Sequence, residues 1–192
     1  MPKQKLIITL FILVVLLQLI VPAKMIYERE DIISTGKEYK FKTAPIDPSD
    51  VFRGKYIILN YLENTVKVQK IYQWMHNANI YLTLATDKNG YAKVQTITME
   101  KPTGNTDFIK VKTGYVNHED KTLFIDYPFN RFYMEESKAY DAEMAYNESL
   151  RDTSNITYGL VSIKNGEAVL RDVLIGETSI IEIARRRKKN AQ

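Results

Sequence analysis

The chain begins with an apolar run that is long enough to cross a membrane. Leu6 to Val21 contains only Leu, Ile, Val and Phe apart from Thr9 and Gln18. Extended by two residues to Ala23, a helix rising about 1.5 Å per residue would span roughly 27 Å, close to the hydrocarbon thickness of about 30 Å. A helix of a soluble core normally keeps one polar face, and this run has none. The sequence therefore predicts an anchor that contacts the lipid bilayer through residues 6–23.

A cleaved signal peptide is the alternative, because it also combines a basic start, an apolar stretch and a small residue such as Ala23. The run is long for a signal peptide, and Val21 to Met25 lacks a clear small-x-small cleavage pattern. We therefore expect an uncleaved single-pass anchor over residues 1–24, followed by a juxtamembrane helix or linker over residues 25–36. One N-terminal anchor before a long body favours a body outside the cytoplasm.

Positive charge is concentrated at the two ends of the chain. The formal net charge is +4, but residues 1–24 hold three Lys and no acid, and residues 185–189 add five basic residues. The rest of the chain has 19 basic and 23 acidic residues, so the body is mildly acidic. Nucleic-acid binding needs basic residues gathered on a folded face, which this distribution does not offer. Residues 184–192 are predicted as a solvated basic tail, with anionic lipid headgroups as an alternative contact.

From residue 37 onward the periodicity becomes that of β-strands. In Glu38 to Lys42, Tyr39 and Phe41 alternate with charged residues, which predicts a half-buried strand. Asn-Gly pairs at residues 89–90 and 165–166 are typical of tight turns between antiparallel strands. Further strands are predicted over residues 55–62, 66–71, 78–86, 92–99, 108–116, 123–126, 156–163 and 168–174.

One amphipathic helix interrupts the strands. Between residues 135 and 150, Ala139, Ala142 and Tyr146 recur on one helical stripe. A helix lying on an antiparallel sheet gives an α+β fold. We therefore expect the transmembrane helix to be followed by one mainly antiparallel β domain over residues 37–183, built as a curled sheet or open barrel.

Residue types that carry catalytic or metal chemistry are scarce. The chain has no Cys, which excludes disulfides and thiolate metal sites, and its two histidines, His76 and His118, lack metal-ligand spacing. Nucleotide-binding glycine loops are absent. Paired carboxylates such as Asp47 and Asp50 could exchange protons only if one were desolvated, and beside Pro and Ser they more often form turns. We expect no catalytic residue, no metal and no cofactor.

The segment of residues 53–61 resembles a known family motif. Its sequence, Arg53-Gly54-Lys55-Tyr56-Ile57-Ile58-Leu59-Asn60-Tyr61, resembles the motif of the GDYXXLXY family of membrane-anchored proteins. The matching positions are Gly54, Tyr56, Leu59 and Tyr61. The departure is Lys55, where the motif has Asp.

Two further blocks resemble the same family: residues 131–136 before the amphipathic helix, and residues 165–175 in the closing hairpin. With the motif they cover roughly residues 25–176. The family has no established biochemical activity. The resemblance therefore implies a location and an architecture and leaves the function open.

The spacing within the motif has a structural interpretation. Gly54 allows a sharp entry into the strand. Because successive strand residues point to opposite faces, Leu59 and Tyr61 share one face and Tyr56 lies on the other with Ile58 and Asn60. We assign a structural or partner-contact role to five residues: Arg53, Gly54, Tyr56, Leu59 and Tyr61.

Three functions are compatible with this sequence. The leading hypothesis is a non-enzymatic, membrane-tethered accessory or binding domain, whose partner would be an integral membrane protein. The first alternative is an extracytoplasmic cell-envelope hydrolase that uses Asp47, Asp50 or His76. The second is a small-molecule or lipid carrier whose curled sheet encloses a pocket. The oligomeric state is not predicted.

Overall fold

The computed structural model describes residues 2–44, 56–69, 74–104, 106–151 and 155–190. Within these ranges the chain forms three helices and eleven strands. In chain order they are α1 (Pro2–Thr35), β1 (Lys37–Lys42), β2 (Tyr56–Ile58), β3 (Thr65–Lys67), β4 (Asn79–Thr86), β5 (Ala92–Thr98), β6 (Phe108–Asn117), β7 (Thr122–Asp126), β8 (Arg131–Tyr133), α2 (Glu136–Arg151), β9 (Thr157–Lys164), β10 (Glu167–Ile175), β11 (Thr178–Ser179) and α3 (Ile180–Asn190).

Helix α1 has 34 residues, and at 1.5 Å per residue it is about 50 Å long. The side chains of its apolar run are exposed throughout, from Leu6 at 61% to Val21 at 63%. The helix is long and apolar enough to cross a membrane. It continues through the predicted juxtamembrane segment as far as Thr35, so residues 25–35 are helical. It ends where Gly36 N donates to Ile32 O at 2.9 Å, and a Cβ on Gly36 would lie 2.3 Å from that oxygen.

Three antiparallel sheets form the body. The first has the order β1-β9-β10-β11, the second pairs β2 with β8, and the third has the order β3-β7-β6-β4-β5. Two isolated bridges join the first sheet to the third: Lys40 with Tyr91, and Ile109 with Gly166. The two larger sheets therefore curl into a nearly closed barrel, which confirms the predicted α+β fold.

The barrel interior is filled by side chains that alternate along the strands. In β1, Tyr39 and Phe41 are buried while Glu38 is exposed, as the sequence predicts. In β6, Ile109 and Val111 are buried and the lysines beside them are exposed. This alternation directs one face of each strand into the core and the other towards solvent or a helix.

The predicted hairpin between β9 and β10 is present, with a tight turn at Asn165-Gly166. Both residues have positive φ, 53° and 89°, which is the geometry of a two-residue hairpin turn. A Cβ on Gly166 would lie 2.6 Å from the ring of Phe108. The turn therefore needs glycine both for its backbone conformation and for its close approach to β6.

Helix α2 confirms the predicted amphipathic helix, with Ala139, Ala142 and Tyr146 buried. The structure differs from the prediction at the C-terminal side of the body. The segment expected to be the end of the body and a solvated tail forms α3, which packs against α2. Ile180 and Ala184 of α3 are fully buried. Their spacing of four residues, one helical turn, was the sequence signal for this helix, and the run of basic residues that follows obscured it.

The strand predictions are confirmed in outline and differ in extent. Regular pairing in the motif strand is limited to Tyr56–Ile58, and β3 covers only Thr65–Lys67. Strand β8 was not predicted, because Arg131–Tyr133 is too short for periodicity to show. It is defined by its pairing with β2, which depends on the tertiary fold.

Candidate functional site

The motif strand lies at the junction of the small sheet and the barrel. Arg53 and Gly54 lie outside the described residues, and Tyr56 is the first motif residue that the structure describes. Tyr56 is opposite Tyr133 in β8. Past the end of β2, Leu59 N donates to Asn130 O at 2.8 Å. The motif is thus held by backbone hydrogen bonds beyond the regular strand.

Burial alternates along the motif and follows the two faces that the spacing predicts. Leu59 and Tyr61 are 3% and 2% exposed, whereas Tyr56, Ile58 and Asn60 are half-buried. Two of the three described residues that match the motif therefore belong to the core. This position indicates that they stabilise the fold.

Tyr61 belongs to a cluster of four aromatic rings at the heart of the body. Its other members are Phe41 of β1 and Tyr127 and Phe129 of the segment before β8. Every pair of these rings has centroids between 5.0 and 5.7 Å apart. Edge-to-face and tilted pairs at such distances contribute about 0.5–1.5 kcal/mol each beyond the burial of their area.

The hydroxyl groups of the two tyrosines close this aromatic cluster with hydrogen bonds to backbone. Tyr61 Oη donates to Phe129 O at 2.9 Å, and Tyr127 Oη donates to Glu63 O at 2.7 Å. Burial raises the pKa of Tyr61 and that of Tyr127 well above the ordinary tyrosine value. Both phenols therefore remain neutral at physiological pH and act as hydrogen-bond donors within the core.

Tyr56 lies on the other face of the motif strand, where its ring forms a second aromatic pair with the ring of Tyr133. Its ring centroid is 5.2 Å from that of Tyr133, and the Arg131 guanidinium lies 5.3 Å from the Tyr56 ring centroid. A hydrogen bond to Tyr133 raises the pKa of Arg131. Tyr133 is 63% exposed, so this group of two aromatic rings and one cation reaches the surface.

The structure describes both histidines singled out from the sequence but neither of the two carboxylates. Asp47 and Asp50 lie outside the described residues. His76 and His118 are exposed in the turns before β4 and β7. Among the residues that the structure describes, no group of three or more His, Asp or Glu side chains is arranged to hold a metal ion.

A different set of residues, which the sequence did not single out, joins α1 to the barrel. Lys164 Nζ donates to both carboxylate oxygens of Asp31 and to Thr35 Oγ1, each at 2.7 Å. Arg29 Nη1 donates to Ala168 O at 3.3 Å, and Ile32 is buried against the body. The hydrogen bond from Lys164 lowers the pKa of Asp31. These contacts fix the direction in which α1 leaves the barrel.

Among the clefts that open beside this junction, two include Arg29 in their walls. One, of about 410 Å³, lies between α1 and the β9–β10 turn and includes Met25, Arg29 and Glu167 in its wall. The other, of about 250 Å³, lies between α1 and the outer face of β6, where Arg29 and Glu167 are joined by Lys110 and Lys112. The sequence offers no signal for either cleft, because both clefts are lined by residues of α1 and of the β9–β10 turn, which are more than 100 residues apart in the chain.

The sequence from α1 to β10 matches the model of one known protein family. Its family model matches residues 18–173, from within α1 to β10. The chain belongs to the GDYXXLXY family. The match covers the motif, all four rings of the aromatic cluster, α2 and the β9–β10 hairpin as far as Val173. No curated protein and no solved structure matches the chain.

Proposed function

We propose that this GDYXXLXY protein is a membrane-anchored, non-enzymatic accessory or binding domain, whose body is held outside the cytoplasm for an integral membrane partner. The observation that carries the proposal is helix α1, because one continuous helix holds both the apolar run and the contacts to the barrel. A tethered domain of this kind acts by being concentrated and oriented at the bilayer surface.

The geometry of α1 supports a body placed close to the membrane. If residues 6–23 span the hydrocarbon, the remaining helix as far as Thr35 extends about 18 Å further. The first barrel contact, at Arg29, comes halfway along this extension. Asp31 and Lys164 form an ion pair in the same stretch of the helix, which supports a barrel held close to the end of the apolar run.

The filled core supports a binding role carried by the surface of the body rather than by its interior. Leu59 and Tyr61 are buried in the core, and the hydroxyl of Tyr61 donates a hydrogen bond to a backbone carbonyl. The barrel interior is likewise occupied by packed side chains such as Ile80, Leu82 and Val161, all fully buried. This filled interior favours recognition at the surface over the carrier alternative.

The outer face of α2 offers apolar surface for such a partner. Tyr140 and Met144 are 67% and 40% exposed and lie one helical turn apart, so their side chains are neighbours. Exposed aromatic residues and Met are enriched in protein interfaces. We place the partner contact on this α2 face.

Anchoring and topology are tested first, with the full chain in its native membrane. Because the chain has no Cys, a single cysteine in place of the exposed Lys93 gives an unambiguous reporter for a membrane-impermeant maleimide. We expect the protein to resist alkaline carbonate extraction and the cysteine to be labelled from the extracytoplasmic side. Release of the protein into the soluble fraction would contradict anchoring, and labelling only after the membrane is permeabilised would contradict the topology.

The partner contact is tested by a photo-crosslinking residue placed at Tyr140, with Lys93 as the matched exposed control position. At native expression we expect one discrete adduct with a membrane protein from position 140 and none from position 93. Adducts of the same pattern from both positions, or no adduct from position 140, would contradict the proposed contact face.

A further inference from the structure

The cleft between α1 and β6 lies at the level of the lipid headgroups if α1 spans the bilayer as proposed. Arg29 is six residues beyond Ala23, or about 9 Å along the helix axis. The polar zone of a bilayer extends roughly 5–8 Å beyond the hydrocarbon on each side. Side chains of a helix lean towards its N-terminus, which here is the membrane side, so the Arg29 guanidinium reaches into this zone.

The exposure of the preceding turn supports this depth. Met25, Ile26 and Tyr27 are 61%, 65% and 74% exposed, although two of them are strongly apolar. Tyr is common at the membrane interface. If Tyr27 lies at that interface, Arg29 follows it by about 3 Å along the axis.

Three cations face this cleft. Lys110 and Lys112 project from the outer face of β6, since Ile109 and Val111 beside them point into the core. Among the described residues, neither lysine forms an ion pair within 4 Å. A guanidinium has five N–H donors, and the bond from Arg29 to Ala168 O leaves others for a ligand. Such a set of donors suits a phosphate group.

Two carboxylates face the same cleft and make its charge mixed. Asp126 lies beside Lys112 in the register of β6 with β7, and Glu167 follows the turn at the start of β10. Both carboxylates are exposed. A purely anionic ligand would be repelled by them, whereas a ligand that carries an ammonium group next to its phosphate would be attracted by both kinds of charge.

We propose that the cleft between α1 and β6 binds the headgroup of a zwitterionic phospholipid of the phosphatidylethanolamine type. Arg29, Lys110 and Lys112 hold the phosphate, and Glu167 with Asp126 holds the ammonium group. The acyl chains leave the cleft towards Met25 and the apolar part of α1. The bound lipid then fixes the orientation of the barrel on the membrane. This inference rests on the proposed anchoring by α1.

The test uses the full chain in nanodiscs made of equal parts phosphatidylethanolamine, phosphatidylcholine and phosphatidylglycerol. Native mass spectrometry of the released protein counts the lipids that stay bound. We expect phosphatidylethanolamine to be enriched about tenfold over phosphatidylglycerol, the ratio that one charge-assisted hydrogen bond of about 1.4 kcal/mol provides. Equal retention of the two lipids overturns the proposal.

Variants separate the two halves of the site. The double variant Lys110→Ala, Lys112→Ala should lower retention of every phospholipid about tenfold or more, and Glu167→Gln should remove the preference for phosphatidylethanolamine over phosphatidylglycerol. Lys93→Ala, which changes an exposed lysine that lines neither cleft, is the control. Circular dichroism checks that each variant is folded. Retention by the double variant equal to that of the control overturns the proposal.

A final experiment distinguishes binding of a lipid headgroup from binding of free phosphate. It also distinguishes loss of the lipid site from loss of membrane anchoring. Inorganic phosphate is added to the same mixed nanodiscs, in which phosphatidylethanolamine is present, and its mass adduct is sought. A phosphate adduct in a protein that retains no phosphatidylethanolamine overturns the lipid assignment. Protein that leaves the nanodisc altogether contradicts the anchoring itself, whereas protein that stays without selecting a lipid contradicts only this site.

Discussion

Replacing Tyr61 by Phe tests whether the family motif acts through the stability of the core. The change removes one hydroxyl and leaves Phe129 O, buried beside it, without its donor. A Cβ on Gly159 would lie 3.0 Å from Tyr61 Oη, so the hydroxyl is tightly enclosed and its removal leaves too little space for water. A lost hydrogen bond with an unsatisfied buried acceptor costs about 1–2 kcal/mol.

The assay is urea and thermal unfolding of the full chain in mild detergent. Trp74 is the only tryptophan and packs against the barrel core, so its fluorescence reports the body and not α1. A loss of about 1–2 kcal/mol should lower Tm by roughly 3–7 °C in a body of this size. Tyr140→Phe, at a position 67% exposed, is the matched control and should stay within about 0.5 kcal/mol of the wild type.

The difference in unfolding free energy between the wild type and the Tyr61→Phe variant should also depend on pH. Because the folded-state pKa of Tyr61 is raised, the wild type loses stability as the pH rises above about 10, where this tyrosine ionises in the unfolded chain. The variant lacks this loss, so the difference between the two should shrink by about 1.4 kcal/mol per pH unit above 10. Equal stability of the variant and the wild type at pH 7 would refute the core role of the motif tyrosine.

Three other outcomes follow from the packing. Ile180→Ala should destabilise the body by about 2–5 kcal/mol, since this α3 side chain is fully buried, and Lys189→Ala should be nearly neutral; equal urea midpoints would contradict the docking of α3. Gly166→Ala should lower Tm more than Gly90→Ala, because both residues have positive φ but only the former meets a phenyl ring; the reverse order would count against the close approach of this turn to Phe108. Finally, the pKa of Asp31 is lowered in the folded protein, so its contact with Lys164 stabilises the docked helix above the ordinary aspartate range near pH 4. This stabilisation is lost as the pH falls below that range. Distances between spin labels on α1 and on the barrel should broaden at acid pH in the wild type and at all pH values in Asp31→Asn; a distribution unaffected by both changes would show that this pair does not hold the helix.

Most elements of this protein could be predicted from the sequence because their signals are local. The apolar run of α1, the alternation around Tyr39, the stripe of α2 and the Asn-Gly turn at Gly166 each depend on neighbouring residues only. Local periodicity decides which face of an element is apolar. The alternation likewise placed Leu59 and Tyr61 on one face of the motif, and the tertiary structure made that face the buried one.

Tertiary structure decided which of these faces meet. The aromatic cluster joins Phe41, Tyr61 and Phe129 from three separate segments, and no local pattern pairs them. The contact of Asp31 with Lys164 joins residues 133 positions apart and exists only because the barrel returns its last hairpin to α1. The sequence by itself thus determined a long apolar helix followed by a sheet-rich body, and long-range packing determined how that helix is held and where the clefts open, because those contacts depend on the path of the whole chain.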